Sequence, residues 1–364
     1  MMIRARAPLR ISFAGGGTDV SPYCDLHGGC ALNATIDKFA YASLMPKEGS
    51  EIEVHSLDYD FIAQYKVDEE LVFDGQLDLV KAVIRNVLRN RPHLAGGFSL
   101  MTHNDAPPGS GLGSSSAMVV AMLSAFKDWA GRSMDQYELA KLAHDIERVD
   151  LGLAGGKQDQ YACAFGGFNF MEFQHDQVLV NPLRVNGDVV NELEYNMLMY
   201  YTGKSRASAH IIEAQVHNVN KGCEKSLQAM HDLKQQAYDM KRALLTGDTR
   251  GFGALLDTAW QVKKRMADKI SNPMIDEAYQ VAMDAGALGG KVSGAGGGGF
   301  MMFYCDHGKR YKVAEHLERL GGKVVNFMFE PQGAHSWRVG GNSAVPVARH
   351  VHSGAGESTV LKAA

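Results

Sequence analysis

Glycine is placed unevenly along this chain, and no other feature constrains the fold as much. Eighteen of the 40 glycines fall in four short stretches, 15–17, 109–113, 152–167 and 289–299. Glycine loses more conformational freedom on folding than any other residue, so it concentrates where backbone must take positive φ or approach another group closely. Filler would be spread out; four clusters point to four places where backbone is pressed against something. The glycines follow no three-residue period and prolines number only 10, which excludes a collagen-like chain. With 45% hydrophobic and 21% charged residues among 364, the chain can bury the core of one large or two ordinary domains.

Charge narrows the classes of function. The 37 basic and 41 acidic residues leave a net charge of −4, which argues against a protein that coats nucleic acid or an anionic membrane. A small anionic ligand stays open, because backbone amides and a few cations can hold one. No stretch nears the ~20 apolar residues of a membrane helix. Arg10 and Ser12 interrupt the apolar N-terminal run, which does not read as a signal peptide. Cys24, Cys30, Cys163, Cys223 and Cys305 are odd in number and form no CxxC pair, so a cytoplasmic location is expected. The 14 histidines show no metal-ligand spacing.

Hydrophobic alternation predicts strands over 4–13, 31–45 and 51–55, followed by an amphipathic helix over 77–89. A strand over 97–102 and an apolar helix over 114–129, stopped by Gly131, come next. Ser133 and Gln136 suggest a capping box for a further helix ending near 149. Strands resume over 167–173, 178–183 and 195–202. From Ser205 the pattern turns helical: the stripe from Ile212 to Leu244 reads as one long helix, with others over 252–266 and 273–285 running up to the last glycine loop. A strand over 300–305, a helix over about 310–320 and a strand over 323–329 complete the pattern. We divide the chain into residues 1–190, residues 191–340, and a small, polar, aperiodic tail 341–364 expected to be flexible.

Pro108, Gly109, Ser110, Gly111, Leu112 and Gly113 run straight into Ser114, Ser115, Ser116 and the apolar helix. A helix N-terminus carries unpaired N–H groups and partial positive charge, and glycines let such backbone approach a phosphate. The segment is either an ordinary capped helix or a phosphate cradle, and its order of glycines and serines favours the cradle. Walker A is absent: Gly290-Lys291 has Ala285 and Val292 where glycine and Ser/Thr are needed. Residues 294–299 match GxGxxG, but a helical pattern precedes them and a strand follows, the reverse of a dinucleotide fingerprint. Asp159 sits in a glycine-flanked turn and is a turn former or a functional acid; Glu147, off the main stripe of its helix, is a solvated side chain or a ligand. Thr202–Arg206, with Lys204 and Arg206, is an anion site or a basic inter-domain loop.

Three segments in this order resemble the GHMP kinase family: Ala7-Pro8-Leu9-Arg10 through Ala14–Asp19, the loop from Pro108, and Lys291–Phe300. The resemblance implies an α+β fold, with a domain like the second domain of ribosomal protein S5, then a ferredoxin-like domain, and ATP between them. It also implies Asp159 as catalytic base, Arg10 as charge stabiliser, 108–116 on ATP, and Ser115 with Glu147 on Mg²⁺. Gly16, Gly17, Thr18, Asp19, Lys204, Arg206, Gly296 and Gly297 would meet the acceptor. Galactokinase carries glutamate and histidine where this chain has Gly16 and Gly17, which implies another or larger sugar. Residues 33–36, 147–161, 166–173 and 336–338 are most similar to family members that phosphorylate the anomeric hydroxyl of a heptose 7-phosphate for surface polysaccharide. A free-sugar kinase, for example for fucose, and a catalytically silent sugar sensor are the alternatives. The expected partners are a sugar phosphate and ATP, with no nucleic acid or membrane, in a monomer or homodimer.

Overall fold

The structure is a computed structural model that describes residues 1–90, 96–175, 177–203 and 209–340. Lys204, Arg206 and the tail 341–364 lie outside the described residues. The first half contains β1 (Met2–Ala14), α1 (Tyr23–His27), β2 (Gly29–Pro46), β3 (Glu51–Ser56), β4 (Phe61–Lys66), α2 (Asp78–Asn90), β5 (Phe98–Asn104), α3 (Ser114–Trp129) and α4 (Gln136–Asp145). A π-helical turn, Ile146–Asp150, leads on to α5 (Gln158–Phe165), β6 (Phe168–Gln174), β7 (Gln177–Pro182) and α6 (Gly187–Asn196). The second half contains β8 (Met197–Tyr201), α7 (Ala209–Asn220), α8 (Glu224–Thr246), α9 (Thr249–Lys263), α10 (Pro273–Ala285), β9 (Ala287–Val292), β10 (Phe300–Cys305), α11 (Arg310–Glu318), β11 (Lys323–Val325) and β12 (His335–Val339).

The larger sheet runs β12-β1-β2-β5-β3-β4, with β6 and β7 added alongside β2. The 18-residue β2 makes this possible: Gly29–Ala34 pair with β6 while Ala40–Pro46 pair with β5. The β1–β2 register shifts at Pro8/Leu9 and again between Ser12 and Ala14. Proline has no N–H to give a ladder, and such irregularities bend a strand. Arg10 and Ser12 lie between the two shifts, on one face by the two-residue period of a strand. Helix α3 covers the sheet with residues that are almost all buried, from Ala117 to Phe126.

The smaller sheet has the order β11-β8-β10-β9 and is antiparallel throughout. Helices α7–α10 join β8 to β9 and α11 joins β10 to β11, which is the βαββαβ order of a ferredoxin-like unit. The two-domain α+β fold is therefore present. The expected split after residue 190 falls inside α6, and β12 returns across it to pair with β1 in the larger sheet.

Four expectations about local structure need correction. The stripe from Ile212 to Leu244 is two helices, broken at Gly222, whose φ of 65° ends α7. Val219, Cys223 and Leu227 keep helical spacing across the break, so the pattern concealed it. The capping box is Asp135 with Glu138, not Ser133 with Gln136: Glu138 N–H donates to Asp135 at 2.8 Å and Asp135 N–H to Glu138 at 3.1 Å. The strand expected over 323–329 stops at Val325, and α1, β4, α5, α6 and β12 were not anticipated. Finally, residues 293–299 join two antiparallel strands, so a strand rather than a helix precedes the loop. Gly289 and Gly290 masked β9, since glycine is depleted in strands. Here it is required: a Cβ on Gly289 would lie 2.2 Å from the Gly253 carbonyl oxygen of α9. The loop opens no helix, and the dinucleotide fingerprint remains excluded.

Candidate active site

A cleft of about 380 Å³ lies between the two units, and β1, the loop 109–113, the turn before α5, α9 and the loop 293–298 all reach it. Arg10 and Asp159 meet on its wall, although 149 residues separate them. Arg10 Nε donates to Asp159 Oδ1 at 2.8 Å and Nη2 to Oδ2 at 2.9 Å, a two-point fork. Its Nη1 donates to the Gly111 carbonyl at 2.6 Å, and its backbone N–H to the Leu112 carbonyl at 3.0 Å. The arginine is almost fully buried, while the carboxylate keeps a quarter of its side-chain surface open to the cleft. One side chain thus fixes both the acid and the glycine loop. The fold places Arg10 mid-strand and buried.

Gly113 precedes α3 in left-handed backbone (φ 73°), and no side chain caps the helix. Ser114 and Ser115 of its first turn line the cleft, and an uncapped helix N-terminus beside a cavity is the arrangement that receives an anion. The loop is pinned from behind: Phe300 N–H donates to the Ser110 carbonyl at 2.9 Å and Ser293 Oγ to the Gly111 carbonyl at 2.8 Å. Gly111 has φ 79°, and a Cβ there would sit 2.4 Å from the Ser293 carbonyl oxygen. Ser110 Oγ is buried without a partner. An uncapped helix end, an orphaned hydroxyl and glycines closely packed behind them fit a nucleotide phosphate chain. Leu112 points into the core instead, and Pro108 lines a second cavity of about 580 Å³. That cavity shares Gly109, Ser114 and Ser115 with the cleft, and Tyr59, Phe61, Phe73 and Leu79 give it an apolar wall.

Glu147 lies in the π-helical turn and is fully buried. Ser115 Oγ donates to its Oε1 at 2.8 Å and Ser116 Oγ to its Oε2 at 2.6 Å; the Gln160 amide donates to Oε2 as well. Both serines reach the carboxylate, but only Ser115 also lines the cleft. Carboxylate and hydroxyl oxygens side by side are the hard donors that Mg²⁺ takes, so these residues fit the ion.

The remaining expected residues divide. Gly16, Gly17, Asp19 and Gly296 line the cleft. The Asp19 carboxylate accepts the Gly17 and Gln158 N–H groups, each at 3.0 Å, so it also anchors the residue before Asp159. A Cβ on Gly156 would lie 1.9 Å from Asp19 Oδ2, which is why that position is glycine. Thr18 does not reach the cleft: its buried hydroxyl bonds the Gly15 and Cys30 carbonyls and accepts the Cys30 N–H. Gly297 does not line it either, since its N–H and carbonyl are tied to Ile270 and Asn272.

Three polar side chains buried at or behind the cleft are not among the expected site residues. Lys263, at the end of α9, is buried and donates to the Gly294 carbonyl at 2.5 Å. Burial and the Arg10 charge push its ammonium down to about 8, against the pull of Asp19 and Asp159. Lys291, quoted only as part of a motif, donates to the Ser12 and Phe13 carbonyls at 2.8 and 2.9 Å. Burial, then Lys263 and Arg10, holds it well below the ordinary lysine value. Ser12 offers a buried, unpartnered hydroxyl to the cleft. Its one sequence signal was a polar residue interrupting an apolar strand.

Among the described residues, no helix is long and apolar enough to cross a membrane. The family model of GHMP kinase N-terminal domains matches residues 78–167, and that of GHMP kinase C-terminal domains matches 240–323. The chain is 43% identical over 339 residues to D-glycero-alpha-D-manno-heptose 7-phosphate kinase of Campylobacter jejuni, covering 93% of this chain and 99% of that protein. It is 28% identical over 325 residues to the L-fucokinase/L-fucose-1-P guanylyltransferase of Bacteroides fragilis, 34% of whose length is covered. Among solved structures, a D-glycero-D-manno-heptose 1-phosphate kinase from Bacteroides thetaiotaomicron superimposes with a TM-score of 0.80 at 41% identity, over 93% of this chain and all of that one. With the relative so similar along its full length and the Arg10–Asp159 pair in place, a silent sensor is not supported. The chain belongs to the GHMP kinase family and is an ATP-dependent sugar kinase.

Proposed function

We propose that the enzyme transfers the γ-phosphoryl group of ATP to the anomeric hydroxyl of D-glycero-D-manno-heptose 7-phosphate. The product is the 1,7-bisphosphate, destined for nucleotide-activated heptose and surface polysaccharide. The observation that carries the chemistry is the Arg10–Asp159 fork beside the uncapped N-terminus of α3. The acceptor is that of the Campylobacter relative, a D-glycero-alpha-D-manno-heptose 7-phosphate kinase.

Asp159 takes the proton of the anomeric hydroxyl as its oxygen attacks phosphorus, and ADP leaves with the electrons of the broken bond. Arg10 holds the carboxylate in place and, with Lys263, faces the negative charge shared among the phosphoryl oxygens. The α3 amides receive the phosphate chain, and the apolar second cavity receives the base. Ser115 and Glu147 would hold Mg²⁺, which when bound neutralises phosphate charge. Gly16, Gly17 and Asp19, with Ser12, form the sugar side of the cleft.

A second reading, an anomeric kinase for a free sugar, is favoured by the similarity to the fucokinase relative. A coupled ADP-release assay decides between them, with heptose 7-phosphate, heptose 1-phosphate, the free heptose and L-fucose as acceptors. Turnover highest on the 7-phosphate, with a product phosphorylated at C1, supports the proposal. Turnover of a free sugar but not of the 7-phosphate removes it.

A further inference from the structure

A side bay of about 540 Å³ opens from the catalytic cleft and shares Asp19, Arg148, Gly155 and Ile212 with it. Its walls come from residues 19–21, the end of α4, the π-helical turn, the loop before α5 and helix α7, and they carry His144, Arg148, Lys157 and His217. Two cations of the cleft proper are already engaged, Arg10 with Asp159 and Lys263 with the Gly294 carbonyl, and the buried Lys291 behind it is tied to two carbonyls of β1. Arg148 differs from them. Among the described residues it has no carboxylate within 4 Å, and its guanidinium makes only long bonds, to the Leu153 carbonyl at 3.3 Å and the Gly156 carbonyl at 3.4 Å. An arginine presents a planar fork matched to phosphate oxygens, and one without a counter-ion in a cavity wall has that capacity free.

Two adjacent glycines shape the loop between the bay and the cleft. A Cβ on Gly155 would lie 2.3 Å from Arg148 Cζ, and one on Gly156 would strike the Asp19 carboxylate. The loop backbone thus packs directly against the guanidinium at Gly155 and against Asp19 at Gly156, and Asp19's partner Gln158 precedes the base. Lys157 stands next to the same space, bonded to the His175 carbonyl and 3.9 Å from Asp25. Burial, opposed by Asp145 and reinforced by the Arg148 and Lys157 charges, holds His144 below its ordinary value. The acids of the bay are Asp19, whose carboxylate already accepts two backbone N–H groups, and Glu213, on the exposed side of α7.

We propose that this bay is the subsite for the phosphate the acceptor already carries, with Arg148 as its principal cation and Lys157 beside it. The inference rests on the reading of the acceptor as a sugar phosphate. In a 7-phosphorylated heptose the phosphate is at the other end of the sugar from the anomeric hydroxyl. With the hydroxyl at Asp159, the anion must fall on another wall, and the bay supplies one with an unclaimed arginine. Arg148 is in this sense a specificity residue rather than a member of the phosphoryl-transfer machinery.

Equilibrium binding of heptose 7-phosphate and of the unphosphorylated heptose is measured calorimetrically, beside turnover, for wild type, Arg148→Gln, Arg148→Lys, Lys157→Gln and the double variant Lys204→Gln with Arg206→Gln. Wild type is expected to prefer the phosphorylated sugar by tenfold or more. Arg148→Gln should lose most of that preference through a 10- to 100-fold weaker hold on the phosphorylated sugar, with the free heptose bound as before. Arg148→Lys should recover part of it, and Lys157→Gln should lose a smaller part. Because Arg148 also bonds the loop, unchanged binding of the free sugar is the control that the loop is intact. Equal affinity of wild type for the two sugars, or an unaltered preference in Arg148→Gln, overturns the proposal. So does a preference abolished only by Lys204→Gln with Arg206→Gln. If no acceptor is phosphorylated but the Arg148-dependent preference is present, the kinase reading of the acceptor fails and the bay stands.

Discussion

Asp159→Asn tests the proposed chemistry most directly, because the structure predicts two separate effects. Asparagine keeps the shape of the side chain but cannot take a proton at neutral pH. General-base catalysis contributes roughly 10²–10⁴-fold, so kcat should fall by about that factor. The second effect comes from the fork. Arg10 donates to both carboxylate oxygens, at 2.8 and 2.9 Å. An asparagine can accept one of these bonds but must turn its NH₂ group towards the other donor. An almost fully buried guanidinium then faces another donor, a loss of about 1–3 kcal/mol. In a chain of this size the melting temperature should drop by a few degrees, at roughly 2–4 °C per kcal/mol. Nucleotide binding should persist, since the α3 amides and Glu147 are untouched. The assays are coupled ADP release, thermal unfolding and titration with a fluorescent ATP analogue. Turnover within tenfold of wild type would refute the base assignment, and an unchanged melting temperature would refute the account of the fork.

Glu147→Gln should raise the Mg²⁺ concentration needed for half-maximal rate by tenfold or more, because Ser115 and Ser116 lose their shared carboxylate; an unaltered Mg²⁺ dependence would place the ion elsewhere. Lys263 carries a proton in the free enzyme below about pH 8 and loses it above. If its charge faces the transferring phosphoryl group, kcat/KM falls as pH rises through about 8, and Lys263→Met both lowers activity and abolishes that limb. Bound phosphates favour the ammonium, so the matching limb in kcat should lie at higher pH. The same depressed value means that the folded protein binds fewer protons at this site than the unfolded chain between about pH 8 and the ordinary value of 10.5. The penalty for burying the charge is therefore full below pH 8 and is relieved as pH rises through that window, less so in Lys263→Met; the pH dependence of urea unfolding checks the sign.

Much of the fold was legible because hydrophobic period is a local property. Helix α3, helix α10 and strand β10 begin and end where their patterns predict. The misreadings have local causes too. Gly222 broke a stripe whose apolar spacing happened to continue across it, and Gly289 and Gly290 hid a strand. The site was legible where backbone itself supplies the chemistry, as in the glycine loop, and where motif spacing tied Glu147 and Asp159 together. Thr18 and Gly297 lie within the same motifs yet face the protein, since adjacent residues of a turn need not point one way. Lys263 sits among Lys264 and Arg265 and looks like part of a solvated helix face; only the packing of α9 against the cleft buries it.

By itself the sequence determined where the backbone would be bared to a ligand, because positive φ and close approach demand glycine, and glycine is visible as a letter. It also determined that an acid, an arginine and a glutamate of the right types were present. Only the tertiary structure decided that Arg10 grips Asp159 across 149 residues, that two lysines are buried beside them, and that Arg148 has no carboxylate partner among the described residues. The charge state and reach of a side chain depend on what surrounds it, and that surrounding is assembled by chain folding from distant segments.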